Sequence, residues 1–453
     1  MADPGVLILP CETRVREFDA KLLLAVVAAS RGISAIVGSK KPIDLSLGRY
    51  PAGVYIGKSL TARSRHNLAI ARACGHRVVL WDEEGLVWAS REVYWKTKID
   101  GATLNAPELL IAWGDDNARA WTEHPDYAGT PVLALGNPRA DLLKPRLREL
   151  FEAEVADIKA THGRFILINT NFSRVNHLQP RQNRHLKWLR EQRPNDPRGG
   201  FAAHKYELFQ AFCALVPKLA RRLPDVRLVV RPHPSELRQT WENLAAGFAN
   251  VSVAQHGNVV AWLLASDGLI HNGCTTAVEA YQLGRPALAF QAVLSDRYDH
   301  PLPNGISLPA RDLDGVVAWV ERASRDPAAL FADQAADGAR DLMVRALAGL
   351  DQDELAGERI LKALEPLLAQ PPPAPSGGQR WTPVFLAVRR LLRLLEQRVP
   401  GTANYRPYLA HMFPEVDRVE VVQRCRQMAG CLGLATVPSV RELETNVFRL
   451  DPT

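Results

Sequence analysis

The sequence predicts an α/β protein: two Rossmann-like, doubly wound domains in succession, then a helical C-terminal extension. Three observations predict it. Short runs rich in Val, Ile and Leu recur through residues 1–330, separated by amphipathic stretches. Strands buried on both faces of a parallel sheet, with helices covering them, read this way. The pattern is interrupted by a charged stretch at 142–163 and then restarts. Finally, 453 residues with 47% apolar and 23% charged side chains can fill more than one core.

In the first domain, 1–150, GVLILP (5–10) is expected as a strand and REFDAKLLLAVVAASRG (16–32) as a helix ended by Gly32. ISAIVGS (33–39) and GVYIGKS (53–59) follow as strands, and LTARSRHNLAIARACG (60–75) as a helix closed by Gly75. RVVL (77–80) is a strand running into WDEEG. ELLIAWG (108–114) and PVLALG (131–136) are strands with a helix over 115–124 between them. The stretch 142–163 reads as a helical link.

The second domain, 160–330, repeats the scheme. Strands are expected at FILINTNF (165–172), VRLVVRPHP (226–234), VSVAQ (251–255), GLIHN (268–272) and PALAFQ (286–291). Helices are expected at 206–223, 257–265 and 275–283. Beyond it lie a helical segment at 331–369, a Pro/Gly linker at 370–380 and a helical tail at 381–453. In WTPVFLAVRRLLRLLEQR (381–398), Arg389, Arg390 and Arg393 fall on one side of a helical wheel. Val384, Phe385, Val388, Leu391, Leu392 and Leu395 fall on the other. This suits either a peripheral contact with an anionic membrane or a helix packed on the protein's own body.

A net charge of +7 suits anionic partners such as nucleotides, acidic sugars or anionic lipid, without choosing among them. The basic residues are scattered, so no nucleic-acid partner is expected. Six cysteines form no CxxC pair, which argues against a zinc site and a secreted disulfide framework. No metal and no other cofactor is expected. No basic leader precedes GVLILP, and no apolar run reaches the ~18 residues of a membrane span. The expectation is a cytoplasmic protein, soluble or peripheral at the inner membrane.

Ligands of doubly wound domains sit beyond the carboxyl ends of the strands. In RPHPSE (231–236), Pro232 and Pro234 stiffen the turn that presents His233. An imidazole near helix N-terminal amides suits a phosphate, although a loop histidine without a ligand reads the same. In HNGCTTAVEA (271–280), Asn272 and Gly273 make a tight turn and Thr275 and Thr276 open a helix. That is an anion site by composition, with Glu279 one turn in and within reach of a ribose. Thr275 and Glu279 would equally serve as a capping pair.

The first domain places Arg16 after its first strand, the acids of WDEEG after RVVL, and Arg139 and Asp141 in GNPRAD (136–141). Asn169, Asn171 and Arg174 follow the first strand of the second domain. Basic and amide groups of this kind suit a sugar carboxylate. In WDEEG, Asp82 is assigned to the loop, Glu83 and Glu84 are the candidate catalytic acids, and Gly85 is expected to let the backbone turn.

Two Rossmann-like domains facing a cleft make the GT-B architecture of glycosyltransferases, which sugar-nucleotide 2-epimerases and periplasmic-type binding proteins also approach. Across about 1–310, ETRVREFDAKLLLA, WDEEGL, LGNPRADLL, FILINTNFS, RPHPSE and HNGCTTAVEA occur in this order. As a set they resemble the bacterial surface carbohydrate (surface polysaccharide) biosynthesis proteins. The acidic–acidic–Gly motif followed by His-Pro also resembles bacterial sialyltransferases and Kdo transferases.

That resemblance implies a metal-independent glycosyltransferase taking a CMP-activated ulosonic acid, CMP-Kdo or a CMP-nonulosonate, to a glycan or lipid-linked glycan acceptor. It implies that His233, with Pro234, meets the CMP phosphate alongside Thr275 and Thr276, and that Glu279 holds ribose. Glu84 matches the acid/base, with Glu83 as the alternative. A retaining enzyme would need a carboxylate nucleophile, for which Asp141 is the candidate; a helix N-terminal acid favoured by the dipole is its other reading. A UDP-sugar or CDP-glycerol donor, and a non-catalytic glycan-assembly role, are the competing functions.

Overall fold

Six consecutive residues, Val6–Cys11, form β1, and all six are buried. In the computed structural model, which describes residues 5–190, 197–335, 337–371, 382–402 and 404–453, this strand lies inside the larger of two sheets. β2 (Ala35–Ser39) and β3 (Gly53–Gly57) flank it in parallel. β4 (Arg77–Trp81), β5 (Leu109–Ala112) and β6 (Val132–Ala134) continue the parallel run outward from β3.

The second sheet is wholly parallel and has six strands. They are β7 (Ile166–Thr170), β8 (Leu228–Pro232), β9 (Val251–Val253), β10 (Gly268–His271), β11 (Ala287–Phe290) and β12 (Leu308–Ala310). Their spatial order is β12-β11-β10-β7-β8-β9. The order changes direction at β7 and β10, which is where such sheets open a crevice for ligands.

Two compact units contain these sheets. Unit 1 comprises Met1–Leu86, Lys98–Leu150 and Val344–Thr453; unit 2 comprises Val87–Thr97 and Phe151–Met343. In unit 1 the helix Asp19–Ser30 is buried almost all round. It packs against the helices Ala356–Ala369 and Arg418–Leu432, which explains its lack of a polar face. The core of unit 2 joins Ile166, Val230 and Ile270 of the sheet to Phe212, Leu219 and Val320 of its helices.

The expected strands and helices of the two α/β repeats fall where the apolar runs place them, within a few residues at the ends, except that the helix expected at 206–223 begins at Pro197 and runs to Arg222. The helix Arg238–Ala245 and the strand β12 have no counterpart among the expected elements, and other features also differ. The first helix is preceded by a π-helical turn, Arg14–Phe18. Short helices at Lys40–Ser46 and Arg91–Lys98 have no clear counterpart in the apolar pattern. The tail is not helical throughout. After helices at Thr382–Glu396, Arg406–Met412 and Arg418–Leu432 it ends in a hairpin of β13 (Ser439–Glu444) and β14 (Val447–Asp451).

β14 pairs antiparallel with β2, so the tail completes the sheet of unit 1. Gly38 of β2 admits it: a Cβ there would lie 2.0 Å from the Asn446 carbonyl oxygen. Most of the Pro/Gly segment 370–380 lies outside the described residues. Among the described residues no helix is long and apolar enough to cross a membrane.

Candidate functional sites

The carboxyl ends of β1, β3 and β4 bring a knot of buried charge together in unit 1. Lys21, one turn into the first helix, reaches Glu17 at 2.9 Å and Glu83 at 2.8 Å, and donates to the Pro10 carbonyl at 2.8 Å. Lys58, directly after β3, reaches Glu17 at 2.8 Å and Glu12 at 2.6 Å. The Trp81 indole N–H donates to Glu83 at 2.9 Å, and Glu83 Oε2 has no hydrogen-bond partner among the described residues.

Burial alone would raise the Glu17 carboxyl, but Lys21 and Lys58 outweigh it and hold the group below the usual carboxylate range. Burial would likewise lower the two lysines, yet their acidic partners raise both. Each ion is therefore fixed in its charged form. Cys11, beneath the knot, is pushed up to about 12, chiefly by burial, and stays a thiol.

The two candidate acids of WDEEG part company here. Glu83 belongs to the buried knot. Glu84 stands exposed on the turn and pairs with Lys98. Asp82 shapes that turn: its carboxylate accepts the Glu84 N–H at 3.1 Å, and its carbonyl accepts from Gly85 and from the Trp113 indole. Gly85 does not take a positive φ. Its small size matters instead, because a Cβ would press on the Asn117 side chain at 3.1 Å.

Arg139 lies over the Trp113 ring, 5.6 Å from its centroid, and donates to the Glu83 carbonyl at 3.4 Å. Arg16 sits on the π-helical turn that also carries Glu17. Asp141 is buried elsewhere in unit 1. Its two carboxylate oxygens accept the amides of Ala356 and Gly357 at 2.8 and 2.9 Å, at the start of the helix Ala356–Ala369. Burial raises its carboxyl to about 6. The acid thus caps a helix more than two hundred residues away in sequence, which is the dipole-favoured reading with a different helix as its partner.

Unit 2 gathers the other motif residues at the ends of β7, β8 and β10. The His233 ring accepts the Ser235 N–H on Nδ1 at 3.1 Å, so the neutral imidazole carries its proton on Nε2, as a donor. Beneath it, the buried Glu236 carboxylate accepts from Thr170, the Phe172 amide and the Trp241 indole. Glu236 therefore ties the loop after β7 to the loop after β8. Asn169, at the end of β7, is buried with Oδ1 unpartnered among the described residues, whereas Asn171 is exposed.

After β10, Gly273 adopts φ +76° and donates its N–H to His271 Nδ1 at 2.9 Å. A Cβ at Gly273 would stand 3.0 Å from His300 Nδ1, so both conformation and space require glycine. The following helix, Thr275–Gln282, has Cys274 at its N-cap with no side-chain capping bond. Thr275 is thus the first helical residue rather than the cap. Thr276 meets the Cys274 sulfur at 2.7 Å. The Ala277 N–H donates to the Cys274 carbonyl at 3.1 Å, closing the first turn. Both polar atoms of the buried Asn272 side chain are unpartnered among the described residues.

Cations surround this turn. Lys205 is buried next to Cys274, and burial lowers its ammonium to about 8. Among the described residues no carboxylate comes within ion-pair distance of it. His271 is lowered to about 3 by burial and by Lys205, and His185 to about 3 by burial, Arg174 and Lys205. Arg231 is also buried, and burial lowers it to about 10 against the attraction of Glu279 and Glu154. Lys205 thus lies electrostatically close to Cys274, Asp299, His271 and His185, the last of which also feels Arg174, while Glu279 attracts Arg231. Lys205, in the middle of a long helix, carries no motif to betray it. Arg231 stands inside RPHPSE but reads there as part of a strand.

No family model and no curated protein matches the sequence. Solved structures match the fold. A protein provisionally assigned as UDP-N-acetylglucosamine 2-epimerase from Listeria monocytogenes is 13% identical, over 82% of this chain and 97% of that one, with a TM-score of 0.52. S. aureus MnaA in complex with UDP is 15% identical, over 83% and 100%, with a TM-score of 0.50. UDP-GlcNAc 2-epimerase from Neisseria meningitidis bound to UDP-GlcNAc is 13% identical, over 80% and 99%, also with a TM-score of 0.50. At these identities the similarity establishes the fold: two Rossmann-like units of GT-B type.

Proposed function

We propose that the protein is a glycosyltransferase of surface polysaccharide assembly, moving an acidic ulosonic sugar from a CMP-activated donor to a glycan or lipid-linked glycan acceptor. The observation that carries this reading is Lys205, a buried cation that Asp299 attracts but that no carboxylate pairs at ion-pair distance among the described residues, beside the N-terminus of Thr275–Gln282. Such a site stabilises a phosphate by charge and by oriented amides, without calling on a metal. The order of motifs quoted above supports CMP as the nucleotide.

In the transfer, the bond between the anomeric carbon and the phosphate oxygen breaks as the acceptor oxygen attacks the carbon. Charge developing on the departing CMP is met by Lys205, the helix amides and the His233 Nε2–H. Glu279 takes the ribose hydroxyls. The acceptor proton passes to a carboxylate, and Glu84, exposed on a turn that Asp82 holds rigid, is the base we assign. Glu83 is the fixed floor beneath it, clamped by Lys21 and Trp81. Asp141 supports the fold and takes no part.

A UDP-sugar donor is the second reading, favoured by fold relatives that hold UDP or UDP-GlcNAc. A thermal-shift panel of CMP, UDP and CDP-glycerol separates the two, because only a ligand of the native state raises the melting point. A shift with UDP and none with CMP overturns the ulosonate assignment. Glu84→Gln should bind CMP as the wild type does while turnover falls by roughly 10²-fold or more. Undiminished turnover removes Glu84 from the mechanism.

A further inference from the structure

The helix Thr382–Glu396 is amphipathic, yet it packs on unit 1 through its basic side. Arg389 donates to Asn67 at 2.6 Å and to the Asp44 carbonyl at 3.5 Å. Arg390 lies 3.8 Å from Glu444, and Leu386, between these arginines on the wheel, is buried. The apolar side is left facing outward. Val384, Phe385, Val388, Leu391, Leu392 and Leu395 occupy an arc of about 120°, and each is 44–60% exposed. Soluble surfaces seldom leave so continuous an apolar face uncovered.

The charge around that face selects its occupant. From Thr382 to Phe413 the sequence holds five arginines against one glutamate, a net charge of +4. That glutamate, Glu396, is already held by Arg393 and Asn404. Arg398 and Arg406 are exposed, as is Arg49 on the 3-10 turn against which the helix packs. A second copy of the chain, docking by the same face, would set arginine against arginine, because an isologous interface presents each patch to itself. An anionic lipid surface offers both an apolar layer for the leucines and counter-charge for the exposed Arg49, Arg398 and Arg406.

We propose that the Val384–Leu395 face lies in the interfacial zone of an anionic bilayer, holding the protein at the membrane as a monotopic contact. This stands independently of which nucleotide unit 2 takes.

Flotation of the full-length protein with phosphatidylcholine vesicles, with and without phosphatidylglycerol, tests it. The protein should float with the anionic vesicles and bind neutral ones about tenfold or more weakly. Leu391→Glu/Leu395→Glu should abolish flotation while circular dichroism and nucleotide-induced thermal shift stay unchanged, since both side chains are exposed. Failure of the wild type to float, or equal flotation of the variant, overturns the proposal. So does a dimer in analytical ultracentrifugation that the same double substitution dissolves, which would give the face to a second copy.

Discussion

Two clusters of buried charge, one in each unit, are built on opposite principles. In unit 1, Lys21 and Lys58 each touch two carboxylates, at 2.6–2.9 Å. In unit 2, Lys205 meets no carboxylate at ion-pair distance among the described residues, and the histidines around it are depressed by burial and by its charge. The first cluster satisfies itself. Its ions stay charged because each repays the desolvation of the other. The second leaves its ammonium desolvated, with only the weaker pull of Asp299 and Cys274 to offset burial. Buried charge is therefore a poor pointer to function by itself; the balance of the charge is the informative quantity.

The contrast can be broken experimentally, most forcefully at Lys21. Lys21→Met leaves Glu17 and Glu83 buried beside each other without their shared cation. Breaking a buried network in this way costs about 3–5 kcal/mol, read from denaturant unfolding. A loss below about 1 kcal/mol, the size of an exposed pair, would place the knot among surface salt bridges and dissolve the comparison.

Lys205→Met should do the reverse. Replacing a buried ammonium whose burial outweighs the pull of Asp299 and Cys274 by an apolar chain of similar length should leave the free protein as stable or more stable. CMP affinity should drop about tenfold or more, by calorimetry, the loss expected for one charge-assisted contact. Destabilisation with unchanged affinity would mean that Lys205 has a structural partner instead.

The same lysine predicts a pH signature. Its pKa is about 8 in the folded chain against 10.5 for the ordinary side chain. Between those values the unfolded chain holds the extra proton, so stability rises with pH through that window, and the penalty is fully present below it. Affinity for the nucleotide phosphate should fall as pH passes 8. Both trends should vanish in Lys205→Met.

The mildest effect is expected at Asp141. Asp141→Asn keeps one acceptor for the helix Ala356–Ala369 and loses the charge, costing about 1 kcal/mol. Turnover should persist. Abolished turnover in a variant of unchanged stability would return Asp141 to the chemistry as a nucleophile.

How much of this the sequence reveals depends on how local the signal is. β1 and β10 are legible because a run of buried residues is written consecutively. The tight turn at Asn272–Thr276 is legible because glycine and hydroxyls stand in one short string. Lys21 and Lys58 are not, since their partners come from three separate strand ends and only the sheet order β1-β3-β4 brings them together. Glu83 and Glu84 are adjacent in sequence, and their separation into buried and exposed follows from the turn that Asp82 and Gly85 make. Asp141 is illegible for the same reason: its partners, the Ala356 and Gly357 amides, stand more than two hundred residues later in the sequence. The closing hairpin hides behind charged residues because β13 is an edge strand that leaves much of its surface to water.

That hairpin bears on the order in which the protein can be made. The outer edge of β2 is covered only by β14, whose last residue is Asp451. A ribosome finishes the sheet of unit 2 while β2 still presents an open edge, so unit 1, begun first, is completed last. Ending translation at the Pro-rich segment near 370 would look harmless in the sequence. It would leave a half-built sheet with an exposed edge ready to pair with another nascent chain.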